Sequence, residues 1–165
     1  MSLKPGLAIA AAVLAADQLS KWWILEVVRL PEIGRLRLLD LGGAGMDFAM
    51  VWNRGVTFGL LAGDTPWHRV GLAVLALLVV AFLVRWLTKS ENRTTTVALG
   101  AVIGGAIGNV IDRLRFGAVV DFVDTWLAGW HWYVFNVADA AIVLGVVALM
   151  ADALFRPRQA GKEVA

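Results

Sequence analysis

A bundle of four membrane-spanning helices carrying a small extramembrane antiparallel β-sheet, α+β overall, is the fold that this chain predicts. Three observations predict it. Hydrophobic residues fill 59% of the 165 positions and charged residues only 17%, which is too apolar for an ordinary soluble domain of that length. Four windows supply the roughly 20 mostly apolar helical residues needed to cross a hydrocarbon core about 30 Å thick. Between the first two windows lies a glycine-rich segment with strand-like stretches.

The spans run approximately over 6–25, 67–87, 94–111 and 134–155. The second and fourth are cleanest, because Val70 to Val84 and Ala140 to Ala151 carry no charge. Asp17-Gln18-Leu19-Ser20-Lys21 interrupts the first, and Asn109, Asp112 and Arg113 close the third. Lys4 followed by an apolar run to Leu14-Ala15-Ala16 also has the layout of a cleavable signal peptide. Apolar residues resume at Trp22-Trp23-Ile24-Leu25, however, so a spanning helix accounts for more of the segment. In the outer segment 29–66, Leu36 to Leu41 and Phe48 to Trp52 read as strands separated by the Gly42-Gly43-Ala44-Gly45 breaker. Val119 to Val123 and Trp130 to Val134 are candidates for further strands of the same sheet. No internal repeat or low-complexity linker interrupts the chain, so residues 1–165 read as one domain.

Short basic segments set the orientation. Lys4 precedes span 1, Arg85, Lys89 and Arg93 sit between spans 2 and 3, and Arg156, Arg158 and Lys162 follow span 4. The positive-inside bias makes these segments, and both termini, cytoplasmic. Eight tryptophans fit the two membrane interfaces. The net charge of +2 comes without a basic run of the kind that tracks phosphates, which argues against nucleic-acid binding. The absence of cysteine excludes disulfides, thiolate metal sites and a cysteine nucleophile.

Alternating spans bring the end of span 1, the end of span 3 and the start of span 4 to one outer face. Asp17 and Lys21, then Asn109, Asp112 and Arg113, then Asn136 and Asp139 occupy those places, and Asp121 lies in the intervening loop. Each group has two readings. Asp17 and Lys21 share a helix face at i, i+4 and read first as a structural ion pair, with substrate contact as the alternative. Asp112 reads as a tether, and Arg113 as a tether or a ligand contact. Asn109 and Asn136 satisfy exposed helix-end backbone or hold a substrate's main chain. Gly100, Gly104 and Gly108 mark close helix packing, while Gly105 packs likewise or leaves room for a ligand.

Ser2, Ser20 and Ser90 lie in no nucleophile-elbow motif. His68 and His131 are far apart and supply no zinc-binding helix motif, so no metal or cofactor is expected. Asp121 and Asp139 remain. Carboxylates sharing a site cannot both ionise cheaply, so one can take a proton from water while the other donates a hydrogen bond to an oxyanion. The competing reading makes them capping or salt-bridged residues, Asp139 in particular lying near a helix start.

The motifs Asp17-Gln18-Leu19-Ser20-Lys21, Asn53-Arg54-Gly55-Val56-Thr57-Phe58-Gly59, Gly104 to Arg113, Val119-Val120-Asp121-Phe122 and Phe135-Asn136-Val137-Ala138-Asp139 resemble, in order, those of the lipoprotein signal peptidases (signal peptidase II). The resemblance implies a four-helix aspartic endopeptidase of the bacterial cytoplasmic membrane, working as a monomer without metal or cofactor. Such an enzyme removes the signal peptide of a prolipoprotein just before a diacylglyceryl-modified cysteine, at the periplasmic face. By the same resemblance Asp121 and Asp139 are the catalytic dyad. Asn53, Asn109, Arg113 and Asn136 line the substrate site, which also takes the cyclic peptide inhibitor globomycin, and Asp17, Lys21, Gly55 and Asp112 support it. Two residues depart from the pattern: Thr57 stands where Ala or Ser is expected, and Ala140 where a serine is frequent. The rival classes are a small transporter or assembly factor, which would spread charges through the membrane depth or carry repeats, and a Gly-x-Gly-Asp intramembrane protease, whose motif is missing.

Overall fold

The computed structural model describes residues 3–55 and 65–155. Helix α1 (Leu3–Trp22) continues as a π-helical turn (Trp23–Val27), and a short helix α2 (Leu30–Ile33) leads into β1 (Arg35–Asp40) and β2 (Ala44–Asn53). Helices α3 (Pro66–Thr88) and α4 (Arg93–Phe116) follow, then β3 (Val119–Leu127), β4 (Trp130–His131) and α5 (Val137–Phe155). Among the described residues, four helical stretches are long and apolar enough to cross a bilayer: Leu3–Val27, Arg69–Thr88, Arg93–Phe116 and Val137–Phe155. The strands form one antiparallel sheet in the order β1-β2-β3-β4.

Span 3 extends beyond the expected end at residue 111. Asn109, Asp112 and Arg113 find partners inside the protein, so they do not end the helix, and Gly117 at φ 73 does so as a left-handed C-cap that returns its N–H to Arg113 O. Span 4 starts later than residue 134, because Asn136 caps it. Between those helices Trp132–Val134 leave the sheet, with Trp132 N still bonded to Thr125 O at 2.7 Å.

Helix α4 is the centre of the bundle, with 61% of its membrane window buried against 11–28% for the other three. Glycines make this possible. A Cβ on Gly100 would lie 2.5 Å from Gly6 O, one on Gly104 would collide with Ala10 O, and one on Gly108 with the Asp17 carboxylate. The stripe therefore seats α1 against α4 with backbones in contact, as small residues do between membrane helices. Gly105 does the same on the opposite side, where a Cβ would lie 2.5 Å from Ala138 O of α5; it leaves no room for a ligand. Gly104→Ala is expected to cost about 1–3 kcal/mol through overpacking, read as a lower unfolding midpoint in detergent.

The sheet is anchored by a second apolar cluster in which Ile24 and Leu30 meet Val120 and Phe122. Asp47 and Asp124 face each other across β2 and β3, an unfavourable like-charge pair. Arg35 bridges them from Nη1 at 2.8 and 2.7 Å, and His131 Nδ1 lies 3.0 Å from Asp124.

Candidate active site

Strand alternation decides where Asp121 goes. Val120 and Phe122 turn into the apolar cluster beneath the sheet, so Asp121, between them on β3, turns to the other face. It is fully buried there. Its Oδ2 accepts from Asn53 Nδ2 at 3.0 Å, and its Oδ1 from Asn136 Nδ2 at 2.6 Å.

Asp139 reaches the same place through a helix cap. Asn136 Oδ1 accepts the Asp139 N–H at 2.8 Å, and Asp139 Oδ2 accepts the Asn136 N–H at 3.3 Å, the reciprocal geometry of a capping box. The other Asp139 oxygen accepts from Asn109 Nδ2 at 2.8 Å, and Asn109 Oδ1 accepts from Asn136 Nδ2 at 3.2 Å. One buried asparagine therefore joins both carboxylates and the end of α4. The reading of Asp139 as a capping residue is thus true of its geometry, but the same cap points it toward Asp121.

Beneath the pair lies a buried ionic cluster. Lys21 Nζ is 2.8 Å from Asp17 Oδ2, 2.6 Å from Asp112 Oδ2 and 3.3 Å from Asn109 Oδ1. Oxygens of that cluster also hold backbone. Asp17 Oδ1 accepts the N–H of Ala138 at 3.0 Å, and Asp112 Oδ2 accepts that of Val120 at 3.1 Å. Each of these residues immediately precedes one of the two aspartates. The cluster so sets the level of both Asp121 and Asp139.

Above the pair, Arg113 Nη2 donates to Gly55 O at 2.9 Å and Nη1 to Asn109 O at 3.3 Å, while Gly55 N donates to Asn53 Oδ1 at 3.1 Å. The guanidinium is near enough to Asp121 and Asp139 to interact with both charges. Asn53, Asn109, Arg113, Asn136, Asp17, Lys21, Gly55 and Asp112 thus belong with Asp121 and Asp139 to one contiguous network; Val56 to Gly59, the remainder of the Asn53 motif, lie outside the described residues.

Two members of the network escaped the sequence reading. Gln18 Nε2 joins Asp17 to Asp112 at 3.1 Å each. Tyr133 donates to Asp121 Oδ2 at 3.4 Å and accepts from Asn53. It is the only tyrosine of the chain, in a sequence whose other aromatic residues are Trp and Phe, and that was the available signal.

Burial, with the Asp139 charge nearby, pushes Asp121 up to about 7, against a partial opposing effect of the Asn53 and Asn136 hydrogen bonds. The Tyr133 hydroxyl is raised by burial first and then by Asp121, so it stays a neutral donor. A pair of coupled carboxylates that keeps a proton near neutrality has the makings of a general acid and base.

Residues 9–155 match the family model described as signal peptidase (SPase) II. A lipoprotein signal peptidase of Nitrobacter hamburgensis is 42% identical over 93% of this chain and 94% of its own length. Another, from Methylorubrum extorquens, is 43% identical over 99% and 94%. The fold is similar to that of a bacterial membrane enzyme solved by the in meso method at 2.3 Å resolution, with a TM-score of 0.77, 26% identity and coverage of 96% of this chain and 95% of that one. With a family match across nearly all of the chain, relatives above 40% identity over almost their full length, and four membrane-spanning helices around a buried polar site, the chain belongs to the signal peptidase II family of membrane peptidases.

Proposed function

We propose that this peptidase removes the signal peptide of diacylglyceryl-modified prolipoproteins, cutting immediately before the lipidated cysteine, with Asp121 and Asp139 as a water-activating aspartic dyad. The observation that carries the reading is the Asn136 bridge, in which the side-chain amide donates to the Asp121 carboxylate on a strand and the backbone N–H to the Asp139 carboxylate on a helix. The printed identity of the relatives as lipoprotein signal peptidases supports the substrate class.

In this mechanism the two carboxyls share one proton and titrate as a unit. The ionised member takes a proton from a water whose oxygen attacks the scissile carbonyl carbon, and the protonated member donates to the carbonyl oxygen. On collapse the C–N bond breaks and the proton held by the dyad passes to the leaving amine. One product is the signal peptide's new carboxyl group, and the other is the free amine of the lipidated cysteine. Asn53, Asn109, Asn136 and Arg113 orient the pair and meet the substrate main chain, while Asp17, Lys21, Gly55 and Asp112 hold the framework. The site faces the periplasmic side of the bacterial cytoplasmic membrane with both termini cytoplasmic, supported by Lys4, Arg85, Lys89 and Arg93 at the opposite end of the bundle; Arg156, Arg158 and Lys162 lie outside the described residues. The enzyme acts as a monomer, and globomycin occupies the same cleft.

Purified protein is expected to convert a diacylglyceryl prolipoprotein to the shorter lipoprotein on a gel, to leave the unlipidated precursor intact, and to be stopped by globomycin. Cleavage of neither precursor would overturn the reading. Its rate is expected to fall as pH rises through about 7, where Asp121 gives up the shared proton. The Asn53 amide favours the charged form, so Asn53→Ala moves that limb to higher pH, a shift that a merely structural role would not produce. The sign for stability is the same. An acid whose folded value is raised contributes stability that is complete below its ordinary value of 3.8 and is lost as pH rises through about 7.

A further inference from the structure

A second polar site lies at the same end of the bundle, beside the aspartate network, with Arg113 at the border between the two. A cleft of about 390 Å³ is lined by Arg69 and Val70 of α3, by Arg113, Leu114, Arg115 and Phe116 of α4, and by Gly117. Among the described residues, no acidic one lines it. Arg113 is engaged with Gly55 and Asn109, but Arg69 and Arg115 form no ion pair among the described residues, and the buried Arg69 Nε has no hydrogen-bond partner. Gly117, at φ 73, lies against the Arg69 guanidinium, where a Cβ would come within 2.5 Å of Nη1. Arg115 rests 4.9 Å above the Phe116 ring.

Snorkelling explains isolated arginines at helix ends. It does not explain an unsatisfied buried guanidinium nitrogen, which is costly unless something accepts from it. Nor does it explain why Arg69 and Arg115, from two different helices, line one cleft that has no acidic residue among its described lining. The surroundings indicate what accepts. Leu114 is 71% exposed and Val70 50%, so both present apolar surface along the membrane face beside the cleft, and Trp67, 84% exposed, marks the headgroup level on α3. Guanidinium forks match the oxygens of a phosphate ester, and basic pockets between membrane helices suit anionic headgroups.

We propose that Arg69 and Arg115 form a binding site for the phosphate of an anionic phospholipid, whose acyl chains lie along Val70 and Leu114. The site is separate from the one that takes the lipidated substrate, and its test does not depend on peptidase activity. Detergent-purified protein is incubated with phosphatidylglycerol, and retained lipid is read by native mass spectrometry. Wild type is expected to keep one lipid. Arg69→Gln and Arg115→Gln each weaken retention about tenfold, the scale of one charge-assisted hydrogen bond. Arg69→Lys, which keeps the charge and the fold, weakens it less, and Arg85→Gln at the opposite end leaves it unchanged. Equal retention by wild type and Arg115→Gln would overturn the site. Displacement of the lipid by inorganic phosphate alone would overturn its assignment to phospholipid.

Discussion

Asp121→Asn or Asp139→Asn is expected to lower turnover of a lipidated prolipoprotein by at least about 10³-fold, the scale of losing a general acid or base together with its partner. The size follows from the shared proton. An amide can still donate a hydrogen bond, but it cannot take a proton from water, and among the described residues no serine or histidine side chain bonds to either aspartate carboxylate to replace it. The fold, by contrast, is expected to survive. Asp121 is held by two side-chain amides and Asp139 by an amide and a backbone N–H, and replacing one of two mutually repelling acids, of which Asp121 is buried, removes a Coulombic cost. The unfolding midpoint should therefore stay level or rise while kcat collapses, the pattern of a site whose function costs stability. Turnover within tenfold of wild type in either variant would remove Asp121 and Asp139 from the chemistry.

Lys21→Met produces the opposite pattern. The lysine side chain is only 3% exposed, and the carboxylates of Asp17 and Asp112 are fully buried beside it. Removing the cation leaves two buried acids facing each other, at a cost of roughly 3–5 kcal/mol. That is a large share of the 5–15 kcal/mol that typically stabilises a domain. The unfolding midpoint in detergent is expected to drop by roughly 10 °C. Because Asp17 holds Ala138 N and Asp112 holds Val120 N, the loss reaches the two aspartates through the backbone and activity falls too. Adding Asp17→Asn to Lys21→Met removes one of the orphaned charges and should restore part of the stability. A single variant that unfolds at the wild-type temperature would show that the cluster is not what holds these elements together.

The two variants separate what is readable in one dimension from what is not. Span length, the glycine stripe of α4 and the basic segments are local properties, and each is written in consecutive residues or at helical spacing. Helix ends were less legible, because Asn109, Asp112 and Arg113 look like breakers until their partners are known. Gly105 is the clearest case: its sequence context does not tell a ligand cavity from a close α4–α5 contact, and Ala138 O decides it. Gln18 and Tyr133 were missed for the same reason, since hydrogen bonds between elements leave no periodic trace.

By itself the sequence determined that this is a membrane protein with four spans, a small outer sheet and polar motifs collected at one end. It left Asp121 and Asp139 as the candidates for chemistry there, with capping or salt-bridge roles as the competing reading. Hydrophobic length and charge placement carry that information because the bilayer penalises any other arrangement. The tertiary structure alone decided that Asp121 and Asp139 share one network. That outcome depends on strand alternation turning Asp121 away from the apolar cluster, on Asn136 capping α5, and on the Lys21 cluster gripping the residue before each aspartate. The alternation and the cap are local, but the cluster formed by Ile24 and Leu30 and the grip of Asp17 on Ala138 come from elements far away in the chain.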